Sequence, residues 1–467
     1  MAFRPPAPQP RSNLVTGLKI LLGSSPDLLE TLPRDCYRKP VVSVPVGRRP
    51  VFIVNDPELI KRIFIDDRAF YPKSDLMISA LSPLLGDGVL ISNGDQWAHD
   101  RKMLDPAFMH MRLAEMFPLM RQAVDDFINR LQAVGPDTPI DLEAELSHVT
   151  ADIMFRVLFS QPIDGQDAQQ VFAAFTRFQR NAPQFNLKII LASDPAHPVP
   201  LPAEVRKDAR LLRDLIRKLL DQRLELNQAG QRPTDFAQSA IDARDDAGQG
   251  FTHEQLIDQL AVFFLAGHET TASALAWTLF MVSQRPDVLD RLRDEINAAL
   301  GDQPFDHAQS KQMPFLRNVF REGLRLYPPA AFLTRRALKA DQLGRFKVAK
   351  DSFIVVSPWL VHRHELNWQA PLEFDPDRFA DDQPAPKMGT YIPFGLGPRV
   401  CTGAMIAHLE AAMIISELLR RFDLVPIKPE AVFPITRVTI RPRDGIPVCL
   451  KKPSAFQQSH PTAQRAR

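Results

Sequence analysis

The chain has 467 residues, is 45% hydrophobic and 24% charged, and carries a formal net charge of +2. This is the composition of an ordinary globular protein, long enough for two or three domains, and its charge gives no reason to expect a nucleic-acid partner. Its three cysteines, Cys36, Cys401 and Cys449, are odd in number and far apart, which argues against a disulfide framework and for a reducing compartment.

The chain opens on a proline-rich lead, Met1 to Ser12, with no apolar signal-peptide core. Residues 1–25 are expected to be flexible. The apolar stretch Leu14 to Leu22 is interrupted by Thr16, Gly17 and Lys19, and a bilayer takes about 20 apolar residues, so no transmembrane anchor is expected. Val41 to Val46 and Pro50 to Val54 flank Gly47-Arg48-Arg49 and predict a β-hairpin. Asp56-Pro57 is an N-cap followed by Pro at the first helical position. Residues 74–95 mix apolar residues with Gly86, Gly88 and Gly94. On a helix, Trp97 and Arg101 share a face, so an indole N–H and a guanidinium point the same way. Singly, such a pair is more often a packed Trp beside a surface Arg.

Apolar spacing predicts helix from about 112 to 160, 166 to 181 and 203 to 227, with a loop over Ser193 to Pro202. Residues 229–250 are polar and expected to be exposed. Thr252-His-Glu-Gln255 is a capping box that opens a helix toward Gln284. At about 1.5 Å per residue, its roughly 32 residues span about 48 Å. Ionisable groups in mid-span argue for a buried central helix rather than a membrane span. Ala266-Gly267-His268-Glu269-Thr270-Thr271 breaks its apolar character. Gly267 allows a close approach to the backbone, and Thr270 can bond back to the carbonyl four residues earlier.

Pro286 to Leu300 is a further helix, stopped by Gly301. Glu322 and Arg325 share a helix face; standing alone they would be a surface pair worth under about 1 kcal/mol. Phe353 to Val356 predicts a strand, Val438 to Leu450 a hairpin turning at Asp444-Gly445, and residues 456–467 a disordered tail.

Tyr391 to Gly403 holds Cys401 among Gly395, Gly397 and Gly403, just before an apolar helical run. The helix N-terminus favours a thiolate. The glycines let the backbone turn tightly against a flat ligand, and Arg399 can face an anionic group on it. A free cysteine is usually buried and inert. Zinc needs more ligands than Cys401 and His408 supply, and spacing alone leaves a Cys–His nucleophile open. A single axial thiolate beneath a heme uses every residue of the loop.

Phe394-Gly395-x-Gly397-x-Arg399-x-Cys401-x-Gly403 resembles the heme-ligand loop of the cytochrome P-450 family of heme-thiolate monooxygenases. Other family-like motifs occur in order over roughly residues 38 to 450. The resemblance implies a mainly α fold with a small β-rich lobe, and one domain over 26–455 around a buried heme b ligated by Cys401. It implies that Trp97 and Arg101 contact a propionate. Ala266 and Gly267, with Phe394, Gly395, Arg399 and Gly403, would line the cofactor, and Glu269 and Thr270 would manage protons. Arg335, or Arg336 beside it, would bind a propionate. Glu322, Arg325 and Arg378, the last in Pro376-Asp377-Arg378-Phe379, would form a buried triad fixing the approach to Cys401. Residues 74–95 would be a mobile loop over the substrate, with Phe172, Phe175, Phe178 and Phe185 as its roof, although each could equally be a core aromatic.

The chain contains no Gly-x-Gly-x-x-Gly fingerprint for flavin or nicotinamide. Electrons are therefore expected from a separate ferredoxin or flavodoxin-type donor with its reductase. Lys102 and Lys387 have no evident structural duty and are candidates for its docking face. The expected protein is a cytoplasmic, monomeric monooxygenase using O2 on a small apolar organic substrate such as a fatty acid or terpenoid. A peroxide-driven peroxygenase and a non-catalytic heme sensor are the alternatives; neither has a use for Glu269 and Thr270.

Overall fold

The computed structural model describes residues 3–12, 27–44, 50–108, 110–135, 138–181 and 201–453. Strands β1 (Val41–Val44) and β2 (Val51–Val54) form the expected hairpin, Val41 opposite Val54. Asp56 caps helix α1 (Pro57–Lys61) by accepting from the Leu59 N–H, and Pro57 occupies a position where no backbone donor is needed. One π-helical turn, Arg62–Asp66, follows directly.

The expected loop over 74–95 instead contains a helix. Ser74 caps α2 (Asp75–Leu85) through the Met77 N–H, and Leu76, Leu84 and Leu85 anchor it in the core. Helices α3 (Gly94–Leu104) and α4 (His110–Gln132) come next. The helical stretch expected up to 160 is then interrupted by a short strand, β3 (Pro139–Asp141), whose last residue caps α5 (Leu142–Phe159). Helices α6 (Gln166–Asn181) and α7 (Ala203–Gln228) match their apolar spacing. Most of the expected Ser193–Pro202 loop, and Phe185, lie outside the described residues. The stretch 229–250 is not uniformly exposed: Asp235 caps α8 (Phe236–Asp242), pairs with Arg223 at 2.6 Å and is buried with Phe236.

The Thr252 capping box opens α9 (His253–Ser283), with both reciprocal bonds made. Helix α10 (Pro286–Leu300) stops at Gly301, whose φ of +53° favours glycine. Helices α11 (Pro314–Leu326) and α12 (Ala404–Leu419) complete the body around α9. The β lobe is a four-stranded sheet of order β1-β2-β7-β4, where β4 is Leu333–Arg336 and β7 is Phe353–Val356. Beside it lies the small hairpin of β5 (Asp341–Leu343) and β6 (Phe346–Val348). Val41, Phe52, Ile60, Phe64 and Ile354 form a core of their own beneath this lobe, separate from the large apolar cluster of the helices.

The C-terminal hairpin forms differently from expectation. β9 (Pro434–Thr436) pairs with β10 (Ile440–Pro442), while β11 (Pro447–Lys451) pairs with β3 and with β8 (Asp423–Pro426). Asp444-Gly445 is a turn, but it redirects the chain between two sheets, because Val448 and Leu450 bury themselves beside Leu424. Residues 3–12 are docked rather than a free lead. The Phe3 carbonyl accepts from Phe374, Pro6 accepts from the Tyr327 hydroxyl, and Phe3 packs on the core. The expected tail over 456–467 lies outside the described residues.

Candidate active site

The loop before α12 is shaped by its glycines. Gly395 and Gly397 have φ of +78° and +73°. A Cβ on Gly397 would lie 2.7 Å from the Phe64 carbonyl oxygen on the π-helical turn. That glycine therefore serves close packing of protein on protein, where the sequence suggested approach to a ligand. The Cys401 N–H donates to Phe394 O at 2.9 Å, which closes the loop. Backbone N–H groups of Gly403 and Ala404 face the sulfur. By surface area Cys401 is exposed, yet enough protein surrounds the sulfur that desolvation raises its thiol pKa, against the lowering effect of those N–H groups and Arg101.

Beside this loop four cations converge. Arg399 donates to Ser92 O at 2.9 Å and lies over the Trp97 ring at 4.2 Å. Arg101, one turn along α3 from Trp97, donates to Val400 O at 2.9 Å. Arg335 is 7% exposed and lies over the Phe64 ring at 4.3 Å. Lys73, 9% exposed, donates to Leu90 O. Burial pulls Arg335 down to about 9, aided by Arg399, and Arg399 down to about 10, aided by Arg101. Lys73 falls well below the usual lysine range through burial, then through repulsion by Arg399, Arg335 and Arg101. Among the described residues the only carboxylate ion-paired with any of the four is Asp105, on Arg101. The strand alternation of β4 separates Arg335 from its neighbour: Arg336 faces outward and pairs with Asp75 and Asp351.

Helix α9 supplies the third side. From Leu256 to Val282 every residue is buried except Ala266, Gly267 and Thr270, which share one face. Thr270 Oγ1 donates to Ala266 O at 2.7 Å. A Cβ on Gly267 would overlap the Met154 sulfur of α5, so the close approach it permits includes helix on helix. Glu269 points away from that accessible face and is buried. Its Oε1 accepts from Thr439 at 3.0 Å, and burial pushes its carboxyl up to about 7. Glu410 on α12 is also buried, pushed up to about 8 and eased only by Thr271. Six residues of α12 separate Ala404 from Glu410, about 9 Å at about 1.5 Å each, so the Cys401 loop stands about two helical turns from the Thr270–Thr271 region.

A family model described as Cytochrome P450 matches residues 5–449. The chain belongs to the cytochrome P450 family. It is similar to the protein LUTEIN DEFICIENT 5, chloroplastic, of Arabidopsis thaliana, with 29% identity over 429 residues, covering 87% of this chain and 71% of the relative. Similarity to the cyclooctatin synthase of Streptomyces melanosporofaciens is also 29%, over 416 residues, covering 86% of this chain and 85% of the other. The crystal structure of the cytochrome P450DA heme domain shares the fold, with a TM-score of 0.79 at 20% identity, covering 89% of this chain and 90% of that one.

This P450 is a mainly α enzyme with a small β lobe, a monooxygenase by family, and the family binds heme b through a cysteine thiolate. Its own residues fit that group. The converging cations suit a flat ligand bearing two carboxylates, since they repel one another and have almost no acidic partner among the described residues. The accessible face of α9 and the Cys401 loop offer two sides to a planar molecule.

The triad forms away from these groups. Glu322 and Arg325 are fully buried and joined at 2.7 Å, and Arg378 Nε lies 3.5 Å from Glu322. Arg325 also donates to the carbonyls of His362, Pro371 and Glu373, so the triad pins the segment leading toward Cys401. Phe175 and Phe178 are buried core aromatics; Phe175 packs edge-on to His268 at 4.5 Å. Lys102 and Lys387, for which the sequence showed no structural duty, make exposed surface pairs with Asp246 and Glu58. Sequence reasoning missed Lys73, which nothing local marks, and Glu410, a carboxylate in an apolar helix that was a visible signal.

Proposed function

We propose that this P450 inserts one oxygen atom from O2 into an apolar organic substrate, with Cys401 as the thiolate ligand of its heme. The observation that carries the reading is Thr270, accessible on α9 and bonded to Ala266 O, with buried carboxyls behind it: Glu269 next in sequence and Glu410 against Thr271, both raised toward neutrality. Groups that hold protons near pH 7 inside an apolar site suit proton delivery.

The heme, when bound, supplies the activation of O2. Lys73, Trp97, Arg101, Arg335 and Arg399 would hold its propionates. Ala266 and Gly267 would line one side, and Phe394, Gly395 and Gly403 the side of the sulfur. Glu269 and Glu410 hold protons behind α9. The Thr270 hydroxyl, bonded to Ala266 O, can turn that bond outward to hand a proton on. Electrons come from a separate ferredoxin or flavodoxin-type protein with its reductase. Three free cysteines suit a reducing compartment such as the cytoplasm, with the protein acting as a monomer. Relatives include a cytokinin hydroxylase and an 11-oxo-beta-amyrin 30-oxidase, so family membership leaves the substrate open. An apolar molecule of the fatty-acid or terpenoid kind suits a site lined by α9.

The test is turnover with isotopically labelled O2. The protein is supplied with NADPH, a ferredoxin and its reductase, and a substrate chosen by its shift of the heme spectrum. Label in the product is the expected result. Equal product from peroxide alone would favour a peroxygenase, and spectral binding with no turnover a sensor.

A further inference from the structure

Arg441, on β10, stands between two carboxylates. It bonds Glu143 in the first turn of α5 through Nη2. Its Nη1 donates to Gln179 Oε1 on α6 at 3.1 Å and lies 4.0 Å from Glu269 Oε1 on α9. The three charged side chains are almost sealed: Arg441 and Glu143 are 12% exposed and Glu269 is 2% exposed. Thr439, in the turn between β9 and β10, satisfies Glu269 Oε1, while Oε2 has no hydrogen-bond partner among the described residues.

The other groups around Glu269 give it little charge of the opposite sign. Arg437, from the same hairpin, acts at a distance, and Asp141 on β3 favours the Arg441 charge through its field alone. From α6 comes the neutral Gln179, whose amide favours the ionised carboxylate without meeting hydrogen-bond geometry. On α9 itself, burial keeps His268 neutral, down at about 4. From α12, Glu410 turns to Thr271. Arg441 is thus the near cation that could ionise Glu269, and although it stands 4.0 Å away its hydrogen bonds go to Glu143 and Gln179.

We propose that Glu143 controls the charge on Glu269 through Arg441: by holding the guanidinium on the α5 side, it leaves Glu269 able to keep its proton. Glu143 is a positioning residue, and the proposal rests on the reading of Glu269 as a proton-holding group. Neutralising Glu143 frees Arg441 to move from 4.0 Å into direct hydrogen-bond contact with the unpartnered Glu269 Oε2, and a cationic donor bonded to the carboxylate favours its ionised form by about one unit or more. Removing Arg441 leaves Glu143 unpaired nearby and acts the other way.

The test is infrared titration of the protonated carboxyl band in the full-length holoenzyme, with Glu269→Gln assigning the band. The spectrum of the reduced, CO-bound form checks that each variant keeps its heme. Glu143→Gln should lower the midpoint of Glu269 about tenfold in proton affinity or more, and Arg441→Gln should raise it. An unmoved midpoint in heme-replete Glu143→Gln, or a shift of the same sign in both variants, overturns the proposal. The coupling of NADPH use to product, followed across the same pH range, separates the two readings. If the midpoint moves and coupling does not follow, Glu143 still controls Glu269, and the role of Glu269 in proton delivery fails.

Discussion

Lys73 lies opposite Arg335 across an isolated antiparallel bridge, so two buried cations are direct neighbours. Arg335 destabilises the Lys73 charge, and Arg399 destabilises both. A dianionic ligand reverses that balance. Lys73→Met should therefore raise the unfolding temperature of the heme-free protein and speed heme loss from the holoprotein. A charged hydrogen bond contributes about 1.5–3 kcal/mol, so heme affinity should fall about tenfold or more. Transfer of heme to an excess of a heme-scavenging protein measures it. The folded pKa of Lys73 is depressed, so the unfolded chain binds more protons below the ordinary value of 10.5. Stability of the heme-free protein should accordingly rise with pH through that window, and Lys73→Met should flatten the rise.

Thr270→Ala removes the hydroxyl on the accessible face of α9 and leaves the helix intact, since the hydroxyl bond to Ala266 O is additional to the backbone ladder. Heme content and substrate affinity should persist. Product per NADPH should fall while peroxide accumulates, because relays of this kind contribute roughly 10²- to 10⁴-fold. Product and peroxide yields from the same reaction decide it, and unchanged coupling removes Thr270 from the proton path.

Glu410 has a folded pKa of about 8, raised from 4.5 by burial. A carboxyl raised in this way contributes its full stability below the unfolded value and loses it as pH climbs through the folded one. The holoprotein should thus lose stability between about pH 4.5 and 8. Glu410→Gln should remove much of that slope, and Glu269, with its folded pKa of about 7, should leave a residual one. Urea midpoints across the range give the comparison; identical slopes in the two proteins would place the Glu410 charge elsewhere.

The local signals were legible in the sequence. Asp56-Pro57, the Thr252 capping box and Gly301 each act within a few residues and stand as written. The spacing of Glu322 to Arg325 is also local, but their burial is not, and it separates a surface pair from a structural one. What failed depended on distant partners. The Asp444-Gly445 turn is real, yet β11 leaves β10 for β8 because the apolar residues it must bury lie there. The loop that the resemblance implied over 74–95 gave way to a helix, because Ser74 caps it and Leu76, Leu84 and Leu85 find a core to enter. Lys73 has no mark at all; only the fold brings it beside Arg335. The choice between Arg335 and Arg336 needed the register of β4 on β7, which places Arg335 opposite Ile354.

Burial also ranks the ion pairs. Glu322→Gln leaves Arg325 buried without its carboxylate and should cost about 3–5 kcal/mol. Lys102→Ala breaks a pair in which both side chains are largely exposed and should cost under about 1 kcal/mol. Denaturant unfolding of the two variants tests the ordering, and comparable losses would contradict it.

The most direct measurement concerns the sulfur. Cys36 is buried and Cys449 sits on β11, whereas Cys401 alone stands in a loop at a helix N-terminus beside the cation cluster. The reduced, CO-bound spectrum reports whether a thiolate ligates the heme. Cys401→Ala should lose the red-shifted thiolate band, while Cys36→Ala and Cys449→Ala keep it. A Cys401→Ala protein that retains the band would contradict the account at its centre.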